Sequence, residues 1–287
     1  VYLILASALL IFSPLPVSDR TPLTGVYLLL LVAVSCLRFV PREGYPWLRW
    51  TRDWYPMFLI PLFYNYAQHL NRLVTTGYLD SRVVALEQAI FGLQPSEELW
   101  RMVPAVAVSE LLHFSYVAYA PTILGVTLFL YLARSRREFR LYITSVMTTF
   151  IFCSCVFILL PVKGPFQFFG PLGPEVKHAF FARVAHWMLR GGSSVGTAFP
   201  SSHVAAIVCV WLVSRRSLGW LAWIVLAIAI GIFVGAVYGG FHYAVDTIAG
   251  LAVGLVMGLL GPKIHTAITR LLDGSRRTNF VSPPASP

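Results

Sequence analysis

Two short segments of this chain hold residues suited to phosphoryl transfer: AFPSSHVA (198–205) and VYGGFHYAVD (237–246). His242 and Asp246 are four apart, so on a helix they share one face. A carboxylate placed there holds an imidazole in one tautomer and stabilises its cation. His203 follows Pro200, Ser201 and Ser202, a proline and two hydroxyls typical of a helix start. Helix starts present free N–H groups and a positive dipole end to an anion. The chemistry this predicts is covalent. Neutral His242 attacks phosphorus and becomes a phosphohistidine, and protonated His203 gives its proton to the leaving oxygen. Water or an acceptor hydroxyl then resolves the intermediate, with His203 as base. Lys163, the Ser201 and Ser202 hydroxyls and the N–H groups around 201–203 are candidate donors to the transferring group. Read singly, His-x3-Asp also fits a buried packing pair and Ser-Ser-His an ordinary cap; their conjunction favours catalysis. A zinc site on His203, His242 and Asp246 is the chemical alternative. Acidic residues are too few and scattered for a magnesium site, and neither a metal nor a cofactor is expected.

The elements that position these residues follow from composition. Of 287 residues, 57% are hydrophobic and 12% charged, against roughly 25% charged in soluble domains. The apolar runs are continuous rather than alternating, which predicts an all-α integral membrane protein. Spans are expected near 1–16, 22–40, 55–73, 104–132, 141–160, 199–214, 218–238 and 243–262. The first and the 199–214 run are short for a bilayer that takes about 20 residues. Asn65, Gln68, His69 and Asn71 weaken the third.

The formal net charge is +10, yet nucleic acid is not an expected partner, because the basic residues flank apolar runs. Arg38/Arg42/Arg49/Arg52, Arg134/Arg136/Arg137/Arg140, Arg215/Arg216 and Lys263/Arg270/Arg276/Arg277 hold 14 of the 22 lysines and arginines. That is the positive-inside pattern. It places these stretches and both termini in the cytoplasm, of a plasma or inner membrane. The chain from His203 then runs inward to Arg215/Arg216 and returns to Gly239-Gly240, so both histidines lie on the extracytoplasmic side. Cys36, Cys153, Cys155 and Cys209 fall within apolar runs and read as buried free thiols. The chain begins at Val1 without a methionine, which points to a missing N-terminal piece, and its first run lacks the cleavage site of a removable signal peptide.

Two long connections are expected outside. In 74–103, the stretch DSRVVALEQAIFGL (80–93) has helical periodicity and reads as an interfacial helix; Asp80 near Arg82, like Asp53 beside Arg52, reads as an interfacial charge pair away from the site. The connection 161–198 carries Lys163, Lys177, His178, Arg183, His186 and Arg190. It reads either as a lid over an anionic headgroup or as an amphipathic helix (178–189) on the bilayer. Glu110 and His113, three apart in a span, read as a mutual pair or as contacts to a polar headgroup.

At these residues the chain resembles the type 2 phosphatidic acid phosphatase superfamily, whose six-helix core is shared with vanadium haloperoxidases. Pro200-Ser201-Ser202-His203 matches that family's Pro-Ser-Gly-His, with Ser202 for glycine. His242 and Asp246 match its His-x3-Asp, but Gly235 and Ala236 stand where Ser-Arg is expected. Lys163 and Pro171 match its first motif, with Gly170 replacing an arginine. Loss of both arginines is similar to the inositol phosphorylceramide synthase branch. The resemblance implies His242 as nucleophile, Asp246 as its orienting group and His203 as acid/base, with Arg183 or Arg190 as substitutes for a missing arginine.

It further implies a six-helix transmembrane core over 53–265. The resemblance does not cover 1–52, where the apolar runs predict N-terminal spans and a cytoplasmic loop, and the Pro/Ser-rich end predicts a disordered cytoplasmic tail (266–287). The expected activity is a metal-independent lipid phosphate phosphatase, with a phosphorylated lipid as substrate and membrane lipids as surroundings. A phosphotransferase passing an inositol-phosphate type headgroup to an alcohol or lipid acceptor is the alternative. A lipid or ion transporter using His242 and Asp246 as a proton relay is the remoter one.

Overall fold

A computed structural model describes residues 2–12, 16–39, 45–71, 73–170 and 179–278. Thirteen α-helices are present among them: α1 (Tyr2–Ile11), α2 (Val17–Cys36), α3 (Pro46–Leu70), α4 (Asp80–Phe91), α5 (Pro95–Met102), α6 (Val106–Val117), α7 (Tyr119–Ala133), α8 (Arg136–Leu159), α9 (Pro165–Phe168), α10 (Phe180–Gly192), α11 (Ser202–Leu218), α12 (Leu221–Tyr238) and α13 (Ala244–Thr278). The all-α expectation holds. The one β-type pairing among the described residues is a single bridge, Val162 to Thr197.

Three helices are long and apolar enough to cross a membrane, Arg136–Leu159, Leu221–Tyr238 and Ala244–Leu271; α6 and α7 add a fourth if counted as one broken span. The run 104–132, read as continuous, is bent by 46° between α6 and α7. Pro121 explains the break, since it has no N–H to give the Val117 carbonyl one turn back. The start of α8 is set locally: Ser135 Oγ accepts from the Glu138 N–H while Glu138 accepts from the Ser135 N–H, a reciprocal cap. Large apolar side chains such as Leu29, Leu132, Trp223 and Leu259 are exposed, as a lipid-facing surface requires.

Helix α11 is the axis of the bundle, with every residue from Val204 to Val210 buried. It packs against α8, α12 and α13. The approach of α13 depends on glycines four apart, the arrangement that lets helix backbones meet within a membrane. A Cβ on Gly250 would lie 2.5 Å from the Ser201 carbonyl oxygen, on Gly254 2.6 Å from that of Ala205, and on Gly258 2.7 Å from Leu212. Gly254→Leu is therefore expected to cost at least the ~1–3 kcal/mol of ordinary overpacking. The obstacle is backbone and cannot rotate away. Thermal unfolding in detergent should show a clear drop in midpoint; an unchanged midpoint would mean that α11 and α13 are not so close.

Two of the expected basic stretches are joined to neighbouring turns and helices. Arg134 donates to the Ser217 carbonyl (3.0 and 2.6 Å), tying the α7–α8 turn to the α11–α12 turn. Asp53 pairs with Arg52 at 3.7 Å as expected, and also with Arg136 at 3.2 Å. Three expectations need correction. Helix α13 continues through Thr278, so 266–278 is helical rather than disordered, while 279–287 lies outside the described residues. Cys36 is exposed and Cys155 half-buried, although Cys153 and Cys209 are buried as expected. The helix expected over 80–93 ends at Phe91, and Asp80, expected to lie away from the site, is buried beside it.

Candidate active site

Three chain segments converge at the end of α11 opposite its arginines. Ser201 caps α11, its hydroxyl accepting from the Val204 N–H (3.4 Å), as the sequence predicts. Its own N–H donates to the Asp246 carbonyl (2.9 Å), which ties the His203 segment to the first turn of α13. The segment holding Lys163 lies between them. Ala198 N–H donates to the Val162 carbonyl (2.9 Å) and Phe166 N–H to the Gly240 carbonyl (3.0 Å). Gly164, at φ +94°, is wedged so that a Cβ would stand 3.2 Å from both the Ala198 Cβ and the Phe241 carbonyl oxygen. Only glycine meets both conditions. Lys163 itself is partly exposed, with its ammonium 4.6 Å from the Tyr78 ring centre.

The histidines meet: the ring centres of His203 and His242 are 5.7 Å apart. His242 Nδ1 is 3.6 Å from Asp246 Oδ2. That is long for a hydrogen bond, though such contacts often tighten when substrate binds. His242 is not on the helix, as the spacing suggested; α13 begins at Ala244, and the Phe241 and His242 N–H groups both donate to the Ala236 carbonyl (2.9 and 3.0 Å). Asp246 sits in the first turn and accepts from the Tyr243 N–H (2.9 Å), which fixes the carboxylate beneath the imidazole. Burial pushes the His242 imidazole below the ordinary histidine range, with the Ala198 carbonyl opposing, so the ring is neutral at physiological pH. His203 Nδ1, His242 Nδ1 and Asp246 Oδ1 are buried without a hydrogen-bond partner among the described residues. The two imidazole nitrogens can engage polar groups of a ligand, whereas the carboxylate oxygen can only accept.

Gly235 and Ala236 stand where Ser-Arg was expected, and packing explains the glycine. A Cβ on Gly235 would lie 2.6 Å from the Leu112 carbonyl oxygen of α6, so any side chain there would push α6 and α12 apart. Gly170 is described, but Pro171, Lys177 and His178 lie outside the described residues. Arg183 and Arg190 are exposed on α10, and neither has a hydrogen bond or ion pair to His203 or His242 among the described residues. Helix α10 buries Ala182, Ala185 and His186 and turns Phe180, Arg183, Trp187 and Arg190 outward, the profile of a helix at a lipid interface. Glu110 and His113 do not pair with each other either. Glu110 accepts from the Phe180 and Phe181 N–H groups at the start of α10, where a carboxylate complements the helix dipole. His113 is fully buried, its Nδ1 2.7 Å from the Ser109 carbonyl, and its ring packs against those of His186, Tyr238 and Phe241.

Several residues at the site were not foreseen. Tyr64, Tyr116 and Tyr119 surround His203, with ring centres 6.4, 5.0 and 4.6 Å away, and the Tyr116 hydroxyl is 3.5 Å from His203 Nε2. Gln68 and Asn71, the polar residues that weaken the third span, hold Val195 from both sides (3.3 and 2.7 Å) and so anchor the approach to Ser201. Asp80 and Glu87 are buried beside the site. Their helix α4 turns Leu86 and Ile90 outward, the reverse of a helix that buries its apolar face in protein.

Glu87 accepts from the Val245 N–H (3.1 Å), and its other oxygen has no partner among the described residues. Burial raises its pKa from 4.5 to about 7, with the Val245 and Ala244 N–H groups opposing. A carboxyl raised on folding adds stability that is complete below its unfolded pKa and is lost as pH climbs to the folded value. Stability in detergent should therefore decline between about pH 4.5 and 7. Glu87→Gln, which keeps the acceptor for Val245, should flatten that decline; an equally steep decline in the variant would rule out Glu87 as its source.

Fold and site together define a class: an all-α membrane protein with a half-buried histidine (His203), a buried histidine (His242) and a buried aspartate at one end of its bundle. A family model described as the PAP2 superfamily matches residues 81–260, more than half of the chain, and the chain belongs to that superfamily. Its members are phosphatases or phosphotransferases, which supports an enzyme of that type rather than a transporter. No curated protein and no solved structure gives a significant match.

Proposed function

We propose that this protein is a membrane lipid phosphate phosphatase acting through a phosphohistidine on the extracytoplasmic side. The observation that carries the reading is the His203–His242 pair at 5.7 Å with Asp246 3.6 Å from His242, the His203 ring set among three tyrosines. In the proposed cycle a lone pair of neutral His242 forms the N–P bond while the P–O bond to the lipid breaks. His203 protonates the departing oxygen. Asp246 stabilises the charge that develops on the His242 ring. His203, now neutral, takes a proton from water as the water oxygen attacks phosphorus, and phosphate leaves. Lys163, Ser201, Ser202 and the first N–H groups of α11 are the proposed grip on the phosphoryl oxygens. No metal is required by this cycle.

The distribution of charge supports this side of the membrane. Arg134, Arg136, Arg215 and Arg216 cluster at the end of α11 away from His203, and the positive-inside tendency assigns that end to the cytoplasm. A lipid substrate fits a site at the end of a bundle whose flanks are apolar. A second reading is transfer of a phospho-headgroup to an alcohol, as in the inositol phosphorylceramide synthase-like branch. It is favoured by Gly170 and Ala236, which leave the site without the two arginines of the hydrolytic motif.

The deciding experiment uses purified protein in mixed micelles with 32P-labelled phosphatidic acid and other phosphorylated lipids, with and without an alcohol acceptor. Release of free phosphate with no labelled second lipid establishes the phosphatase. A labelled second lipid that appears only with acceptor establishes transfer. A phosphohistidine should be trapped as alkali-stable, acid-labile label on the protein; turnover without any such label on rapid quenching would count against the intermediate.

A further inference from the structure

Asp80 is 1% exposed and makes no ion pair among the described residues, yet its carboxylate is saturated with donors from two other segments. One oxygen accepts from the Gly164 N–H (3.1 Å) and the Tyr243 hydroxyl (3.1 Å), the other from the Lys163 N–H (3.0 Å). Tyr243 in turn gives its backbone N–H to Asp246 (2.9 Å), so one residue, next in chain to His242, is strung between two aspartates. On the other side, Gly164 touches the carbonyl of Phe241 and the Cβ of Ala198, the residues leading to His242 and to Ser201. The carboxylate thus joins the segment that bears Lys163 to the turn that bears His242.

We propose that Asp80 is a positioning residue of the phosphoryl-transfer site, setting the Lys163–Gly164 backbone and the His242 turn at the separation the pentacoordinate phosphorus requires. The inference rests on the phosphohistidine reading above and deepens it. It also supplies a physical role for a helix whose sequence looks merely interfacial. A carboxylate suits the place because all three neighbours donate. Asparagine would turn an N–H toward one of them, and alanine would leave three buried donors unpaired. Tyr243→Phe removes one bond of the three and leaves the packing of the ring, so the fold should survive and positioning can be tested in it. Displacing a reacting group by a fraction of an ångström lowers the rate without weakening the ground state.

The test compares wild type, Asp80→Asn, Tyr243→Phe, the double variant and His242→Ala. Orthovanadate binding, followed by 51V NMR, serves as a mimic of the transferring phosphoryl group, alongside kcat, KM and thermal midpoint on the lipid turned over best. Tyr243→Phe should weaken vanadate binding and lower kcat by about tenfold each, the loss of one hydrogen bond to a charged group. KM should stay near wild type, while the midpoint should fall modestly, by no more than one lost buried hydrogen bond accounts for. Asp80→Asn should lose at least as much, and the double variant no more than Asp80→Asn, since both act through one contact. Losses that multiply, a rise in KM at constant kcat, or wild-type vanadate affinity in Tyr243→Phe would overturn the proposal while His242→Ala remains inactive. If Asp80→Asn fails to fold, Tyr243→Phe alone decides. Should His242→Ala keep both turnover and wild-type vanadate affinity, the phosphohistidine reading falls, and this proposal with it.

Discussion

Alanine at His242 is expected to lower turnover by at least about a thousandfold, the scale lost when a nucleophile is removed from a concerted set. The loss should fall on kcat, because the lipid's apolar contacts and the proposed phosphate donors remain. The fold should survive, since the side chain supports no helix: the turn is held by the Phe241 and His242 N–H groups on the Ala236 carbonyl, which the substitution leaves in place. Two measurements check this. Steady-state hydrolysis should disappear, and so should the alkali-stable label on the protein. Substantial residual turnover in a folded variant would transfer the nucleophilic role elsewhere. The neutral state of the ring adds a pH corollary. Burial depresses the His242 pKa, so the acid limb of the rate profile should lie below the ordinary histidine value rather than at it.

The second large effect is expected at Asp246. Asparagine keeps an oxygen that can accept the Tyr243 N–H, and the Asp246 main-chain bond to Ser201 is untouched. What goes is the negative charge 3.6 Å from His242 Nδ1. An orienting carboxylate replaced by its amide elsewhere has cost roughly 10⁴-fold by favouring the wrong tautomer, and a loss of about 10³- to 10⁴-fold is expected here. The accompanying prediction is a thermal midpoint close to wild type, or higher, because the amide relieves a buried charge. A variant that unfolds instead would mean that Asp246 serves the structure more than the chemistry.

What could be read directly from the chain was local. Ser201 caps α11 because a hydroxyl followed by free N–H groups needs no distant partner. His242 and Asp246 meet because four residues of turn and first helical turn bring them together whatever surrounds them. The membrane class follows from 57% hydrophobic residues with charge confined to the ends of runs. Asp80 and Glu87 illustrate the opposite case. Their helix has the same periodicity whether its apolar face meets protein or lipid, and in a bilayer the usual inference reverses, so the polar face became the buried one. Glu110 and His113 failed for a related reason. A spacing of three permits a pair, but the free N–H groups at the start of α10, some 70 residues away, were the stronger claim on the carboxylate.

The two segments around His203 and His242 therefore carried the reaction class, since phosphoryl chemistry is written in residue types at short range. Tertiary structure decided everything that depends on which surfaces meet. The glycines of α13 let the backbone of Gly250 lie against Ser201, and that approach, not the motifs, sets the distance between the histidines. It decided that the Lys163–Gly164 segment hangs from a carboxylate on α4, and that Arg183 and Arg190 face outward. Helical spacing specifies neighbours within a turn or two; contacts between residues 80, 163 and 243 are determined by how whole helices pack, which no local pattern encodes.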